Sequence, residues 1–188
     1  MAAAPDLPFE HGLDIKKGWF DMASLDYSAK LSGSVEFDVP RGRVVHLEHD
    51  GSGNDVFLPG VRDTDMAIFL LNGSTDADVA NPGTTASGRF MHQAVAPTGK
   101  LSGVVATGGY EIDSTEFDDS RSYAPGDLLT AATGTAANAA ATAGVLTNAS
   151  VTLYTTPVVG VVSSGKHVNH NGVNTLSFWS VYLPGSAT

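Results

Sequence analysis

What most constrains this chain is a rhythm. Short apolar runs alternate with polar residues and stop at Gly, Pro or Asn, and no i, i+3, i+4, i+7 apolar stripe marks an amphipathic helix. Ser34-Val-Glu-Phe-Asp-Val39 has period two, which places Val35, Phe37 and Val39 on one face of a half-buried strand. Pro40-Arg-Gly42 supplies a turn and Val44 to Glu48 resumes as the partner strand, so this region reads as a hairpin. Further β-like runs cover Asp55 to Leu58, Met66 to Leu71, Leu101 to Ala106, Val145 to Tyr154, Pro157 to Val162 and Val173 to Leu183. Asn171-Gly172 is the strongest hairpin signal, because both residue types tolerate the positive φ of a type I′ turn. The expected fold is therefore all-β, a β-sandwich or β-barrel of jelly-roll or β-tulip type.

Two stretches depart from that texture. Residues 1–18 mix Pro5, Pro8, Gly12 and Gly18 with the isolated apolar residues Leu7, Phe9, Leu13 and Ile15, followed by Lys16 and Lys17. Four anchors are too few for a core. The segment reads as an extended arm, and those six residues are its candidate contacts, either to a neighbouring subunit or to the larger surface on which the protein docks. Residues 131–144 are rich in Ala, Thr and Gly and read as a loop, with a short helical turn as the alternative, because Gly134 and the β-branched threonines counter the helix propensity of the alanines. The domain plan is then an arm over 1–18 and a β-rich domain over 19–188, with room for two small β subdomains divided near residue 120.

Composition narrows the function. At 42% hydrophobic, 188 residues suffice to bury a core, and no apolar run approaches the length of a membrane span. The first residues lack the basic and apolar regions of a signal peptide, which leads us to expect synthesis in the cytoplasm. The absence of cysteine excludes disulfides, thiolate metal sites and cysteine nucleophiles. A formal net charge of −10 repels a polyanion, so nucleic acid is not an expected partner.

Each local motif has a plain structural alternative. Gly160-Val-Val-Ser-Ser-Gly-Lys166 has the glycine and lysine spacing of a phosphate-binding loop, but His167 stands where Ser or Thr would hold magnesium and nothing after it can open a helix. It reads as a strand followed by a turn. His46 with His49, and His167 with His170, are three apart, a spacing that sends side chains to opposite faces of a strand and argues against shared metal ligation. Asp50-Gly-Ser-Gly-Asn-Asp55 has oxygen ligands at alternate positions without the bidentate Glu of a calcium loop, and reads as a hairpin turn. Glu111, Asp113, Glu116, Asp118 and Asp119 read as a solvated acidic face, with a glycosidase pair as the minor alternative. Trp179 lies in an alternating strand and is expected in the core.

The segments Met66 to Val79, Val105 to Glu111, Tyr123-Ala-Pro-Gly-Asp-Leu-Leu-Thr130, Pro157-Val-Val-Gly-Val-Val162 and Gly172 to Gly185 resemble the capsid decoration, or cement, proteins of tailed bacteriophages. The Pro125-Gly126 turn would deliver Leu128 and Leu129 into a strand, and Gly160 would sit where another backbone comes close. The resemblance implies a virion protein on the outer capsid surface. It would be made in the host bacterial cytoplasm, bind the major capsid protein and itself as a homotrimer, and need no cofactor, metal or catalysis. The competing reading is a β-rich spike or adhesin head that binds a host glycan or receptor.

Overall fold

The computed structural model describes residues 13–17, 26–32, 35, 39–62, 65–70, 100–106, 109–132, 142–169 and 172–185. Among the described residues eleven strands run β1 Leu13–Lys17, β2 Asp26–Leu31, β3 Val44–His49, β4 Asp55–Pro59, β5 Ile68–Leu70, β6 Lys100–Val105, β7 Glu111–Ser114, β8 Leu128–Ala131, β9 Leu146–Thr147, β10 Val158–Val168 and β11 Asn174–Leu183. The described residues contain no helix, as the sequence rhythm requires, and none of them is part of a helix able to cross a membrane. The fold is all-β.

The strands sort into two sheets. β2-β4-β3-β5-β6 close into a barrel, and β1-β7-β11-β10-β8-β9 form an open sheet of six strands. The barrel thus takes the middle of the chain, while the open sheet takes its C-terminal half plus β1. The division between the two falls between Val105 and Glu111 rather than near residue 120, and β1 belongs with the later strands.

Alternation decides what each sheet buries. Within β3, Val45 and Leu47 face the barrel interior with Leu31, Val35, Val39, Phe57, Leu58, Ile68, Leu70, Leu101 and Val105. Val44, one residue out of phase, joins a second core with Phe69, Ile112, Leu129, Leu146, Val159, Leu176 and Phe178. That second core lies between barrel and sheet, so the two halves share one hydrophobic seam. Phe69 from the barrel meets Phe178 from the sheet with ring centroids 5.6 Å apart.

Polar contacts close the same seam. The Nε of Arg43 donates to Glu116 Oε2 at 2.6 Å and its Nη1 donates to the Ala143 carbonyl at 2.8 Å, all within a buried setting. The Val44 amide donates to the Gly144 carbonyl, and the Tyr182 hydroxyl donates to the Asp65 carbonyl. Gly144 has φ of +79°, and a Cβ there would lie 2.3 Å from the Val44 carbonyl oxygen, so both the backbone conformation and the close approach demand glycine.

Several expectations are met by particular strands. β4, β5, β6 and β11 fall on the runs marked by alternation, and β8 starts at Leu128 as the Pro125-Gly126 turn suggested. β10 and β11 form the hairpin expected around Asn171-Gly172, with Val168 opposite Asn174. Its loop is built by Asn169, whose amide donates to the Val173 carbonyl and whose side-chain oxygen accepts from the Val173 amide.

Others are corrected. Of the expected partner strand over 34–39 only Val35 and Val39 are among the described residues, and β3 pairs with β4 from Val45 to His49 and with β5 at Val44 and Val45. Val35 and Val39 nevertheless enter the barrel core. The run Val145 to Tyr154 holds only the two-residue β9 before the chain turns, with Ser150 and Tyr154 at positive φ. Most of the Ala-rich stretch, residues 133–141, lies outside the described residues.

Candidate functional site

The outer face of the open sheet gathers most of the groups with chemical potential. Phe178 is fully buried in the seam, so the next residue on β11, Trp179, faces the other way and is 41% exposed. This corrects its expected place in the core. Alternation in β11 offered two faces, and the apolar neighbours Leu176 and Phe178 took the inner one. Register places Glu111 of β7 and Val161 of β10 opposite Trp179, and Asp113 opposite Ser177.

These polar side chains are committed to one another. Ser163 Oγ donates to Glu111 Oε1 at 3.1 Å, Ser177 Oγ donates to Asp113 Oδ1 at 2.5 Å, and His167 Nε2 stands 3.6 Å from Asp113 Oδ2. Serine, aspartate and histidine are therefore neighbours in an order unlike a nucleophilic triad. Asp113 sits between the other two, and Ser177 gives its proton to a carboxylate instead of an imidazole base. What this arrangement does is pin β7, β10 and β11 together.

The acidic run is likewise not a uniform solvated face. Glu111 and Glu116 are buried, one held by Ser163 and the other by Arg43. Asp119 is exposed and accepts from Asn174 and Lys166, contacts that hold its carboxyl below the usual range, the Asn174 bond contributing most. Composition could not distinguish these roles, because each depends on a partner distant in sequence.

The other motifs resolve into structure. Gly160 to Lys166 lies wholly within β10, and the ammonium of Lys166 is held by Asp119. A Cβ at Gly160 would lie 2.6 Å from Phe178 Cδ2 and 3.2 Å from the Trp179 carbonyl oxygen, so an aromatic ring as well as a backbone fills the space that glycine leaves. Asp50 accepts from the amides of Ser52 and Asn54 and from the Asn54 side chain, the Asn54 side-chain bond being the main reason its carboxyl titrates low; this is the turn of the β3-β4 hairpin. Asn148 Nδ2 donates to Ser122 O and Asp127 Oδ2, and Asp127 also accepts from the Ala124 amide, which fixes the Tyr123-to-Thr130 corner. The Tyr123 hydroxyl donates to the Asp118 carbonyl, and burial pushes its pKa up to about 12.

His46 and His49 do point to opposite sides. His49 is exposed and paired with Asp55 at 2.9 Å, whereas His46 is buried on the seam side of β3. The Nδ1 of His46 lies 3.1 Å from the Gly60 carbonyl, and Nε2 has no hydrogen-bond partner. Burial lowers its pKa, the Gly60 bond opposing that shift, with Arg62 and Asp65 as the nearby charges. The unfolded chain takes up this proton near its ordinary value of about 6.5, while the folded chain does so only at lower pH. Stability is therefore expected to fall as pH drops below about 6.5, with a slope of at most ~1.4 kcal/mol per pH unit from this one group. Urea midpoints for the native protein and for His46→Leu between pH 7.5 and pH 5 test this, and equal slopes would remove His46 as the cause.

The six partner-contact residues expected of the arm divide. Leu7 and Phe9 lie outside the described residues. Leu13, Ile15, Lys16 and Lys17 belong to β1, which pairs antiparallel with β7 of its own sheet through Leu13–Ser114, Asp14–Asp113, Ile15–Ile112 and Lys17–Glu111. That half of the arm is thus an edge strand of the domain. Alternation over five residues was too short a signal to mark it.

Among the described residues, the exposed large apolar side chains are Met66, Leu153, Tyr154, Val168, Trp179 and Leu183. Tyr154 is the most open, at 75%, and sits at positive φ on the turn that leads into β10. Among the described residues, no group of three or more His, Asp or Glu side chains is placed to hold a metal ion. Comparison with protein-family models, with curated proteins and with solved structures finds no match for this chain.

Proposed function

We propose that this chain is a structural virion protein that binds the outer surface of a tailed-phage capsid and stabilises the shell by bridging major capsid protein subunits. The observation that carries the reading is where the polar chemistry is spent. Arg43 and Glu116 tie barrel to sheet, Glu111 and Asp113 tie three strands together, and Asp127 with Asn148 fixes the Tyr123-to-Thr130 corner, one of the segments that carry the resemblance. Ties of this kind, between strands and between the two sheets, are what a protein pulled under shell tension needs to stay folded. The reading assigns the chain no catalytic step and no cofactor, and its partners are the capsid protein and further copies of itself.

The test is composition of purified particles. Quantitative mass spectrometry should find the chain in fixed ratio to the major capsid protein, as lattice symmetry requires of a bound decoration protein. Particles made without it should release their DNA at lower temperature. A chain absent from particles would sink the proposal.

One observation favours a second reading. An exposed tryptophan on a sheet face, as at Trp179, is a surface on which a sugar ring can stack. A spike head built on that face would be present only in the small number set by the vertices, and Trp179→Ala would abolish glycan binding without unfolding the chain.

A further inference from the structure

Strand edges are the places where a β protein can add another chain, and among the described residues nearly all of them are closed. The barrel is a complete ring, without an edge. At one side of the open sheet β9 is covered by the 116–118 segment, through a bridge between Phe117 and Leu146 and the bonds from the Leu146 amide to the Glu116 carbonyl and from the Asp118 amide to the Leu146 carbonyl. At the other side stands β1, paired with β7 on one flank and with no further strand among the described residues on the other.

An open edge is usually blunted by lysine or by a bulge, and β1 has both, with Lys16, Lys17 and a register shift between Ile15 and Lys17. The bulge stays, but the charges of its sequence, Leu-Asp-Ile-Lys-Lys, are complemented by those of a second copy. Pairing β1 antiparallel with another β1 about Ile15 sets Leu13 opposite Lys17, Asp14 opposite Lys16 and Ile15 opposite Ile15. Both Asp-Lys pairs are then of opposite charge. Parallel pairing sets aspartate against aspartate and lysine against lysine, and like charges directly opposite are destabilising.

We infer that β1 is a homotypic docking edge: a second copy of this chain adds its own β1 antiparallel about a two-fold axis at Ile15, joining two open sheets into one continuous sheet. The inference goes beyond the capsid reading and does not depend on it. A five-residue edge buries far less than the ~1,600 Å² of a stable interface, so the pairing is weak in dilute solution. It gains strength where copies are already held side by side, by raised effective concentration. A two-fold contact links copies in pairs, whether or not other contacts make a trimer.

The chain has no cysteine, so one substitution provides a clean trap. In Ile15→Cys the two thiols face each other across the axis, at the about 4.5–5.5 Å Cα separation of directly opposed residues, within the about 4.4–6.8 Å that a disulfide spans. Under mild oxidation the full-length variant should form covalent dimers about tenfold faster than Ser52→Cys, a control in the exposed β3-β4 turn, because pairing raises the local thiol concentration. Adding Asp14→Lys or Lys16→Asp should slow trapping about tenfold, equivalent to 1.4 kcal/mol. Adding both together should restore it. Sedimentation equilibrium of the cysteine-free charge variants at high protein concentration provides a readout independent of the disulfide. Dimers forming no faster than in the Ser52→Cys control, or a double reversal that fails to recover what each single one loses, would overturn the inference.

Discussion

Replacing Glu116 by alanine is expected to lower the unfolding free energy by about 3–5 kcal/mol, the usual cost of removing one partner from a buried ion pair. The carboxylate and the Arg43 guanidinium meet at 2.6 Å with side-chain exposures of 6% and 10%, so the arginine left behind would keep its charge in a dry seam. The loss would not come from Coulomb attraction alone. Much of it would be the uncompensated desolvation of Arg43, which makes the double variant informative. Arg43→Met with Glu116→Leu removes both charges and fills much of the same volume, and it should recover most of the lost stability, leaving the Ala143 carbonyl short of one donor as the residual penalty. Urea midpoints for the two singles and the double measure the cycle; a double variant as unstable as the sum of the singles would show that the pair does not act as a unit.

Truncating Phe178 to alanine is expected to cost a similar about 3–5 kcal/mol, since the ring is fully buried and its removal leaves a cavity as well as lost apolar contact. The site is poorly placed to collapse. Phe178 packs on Phe69 of the barrel across the seam, and on its other flank Gly160 has no side chain to move into the gap. Phe178→Leu should therefore lose far less than Phe178→Ala. Gly160→Ala should destabilise in the native background, where its methyl meets the ring, and should be tolerated better once Phe178 has been shortened. Thermal unfolding followed by near-ultraviolet circular dichroism reads all four, and additive effects of Gly160→Ala and Phe178→Leu would contradict the contact. Because the seam joins barrel and sheet, the native protein is expected to unfold in a single transition, which should separate into two if either of these large losses uncouples the halves.

How much of the candidate surface was legible beforehand follows from the same residues. The acidic run from Glu111 to Asp119 was visible, yet its division into Glu111 and Glu116 inside and Asp119 outside was not, because Arg43, Ser163 and Lys166 lie far away in sequence. Trp179 was found and put on the wrong face. Alternation says that consecutive residues of a strand point to opposite sides, and says nothing about which side becomes core when both carry large apolar residues, as Phe178 and Trp179 do. Histidine spacing was more informative, since the separation of His46 from His49 needed only strand geometry.

The sequence by itself determined that the chain is all-β, where β4, β5, β6, β8 and β11 lie, and that a hairpin turns near Gly172, since these follow from residue-by-residue periodicity and from the few residues that accept positive φ. Only the tertiary structure decided which strands are neighbours. β3 paired with β4 and β5, β2 reached β4 in parallel, and β1 left the barrel that follows it to join β7, past the middle of the chain. Strand pairing joins generic backbone groups and leaves no local mark on either partner. The choice is made by which arrangement buries the most apolar surface, and here that was a closed barrel packed on an open sheet through Val44, Phe69, Ile112 and Phe178.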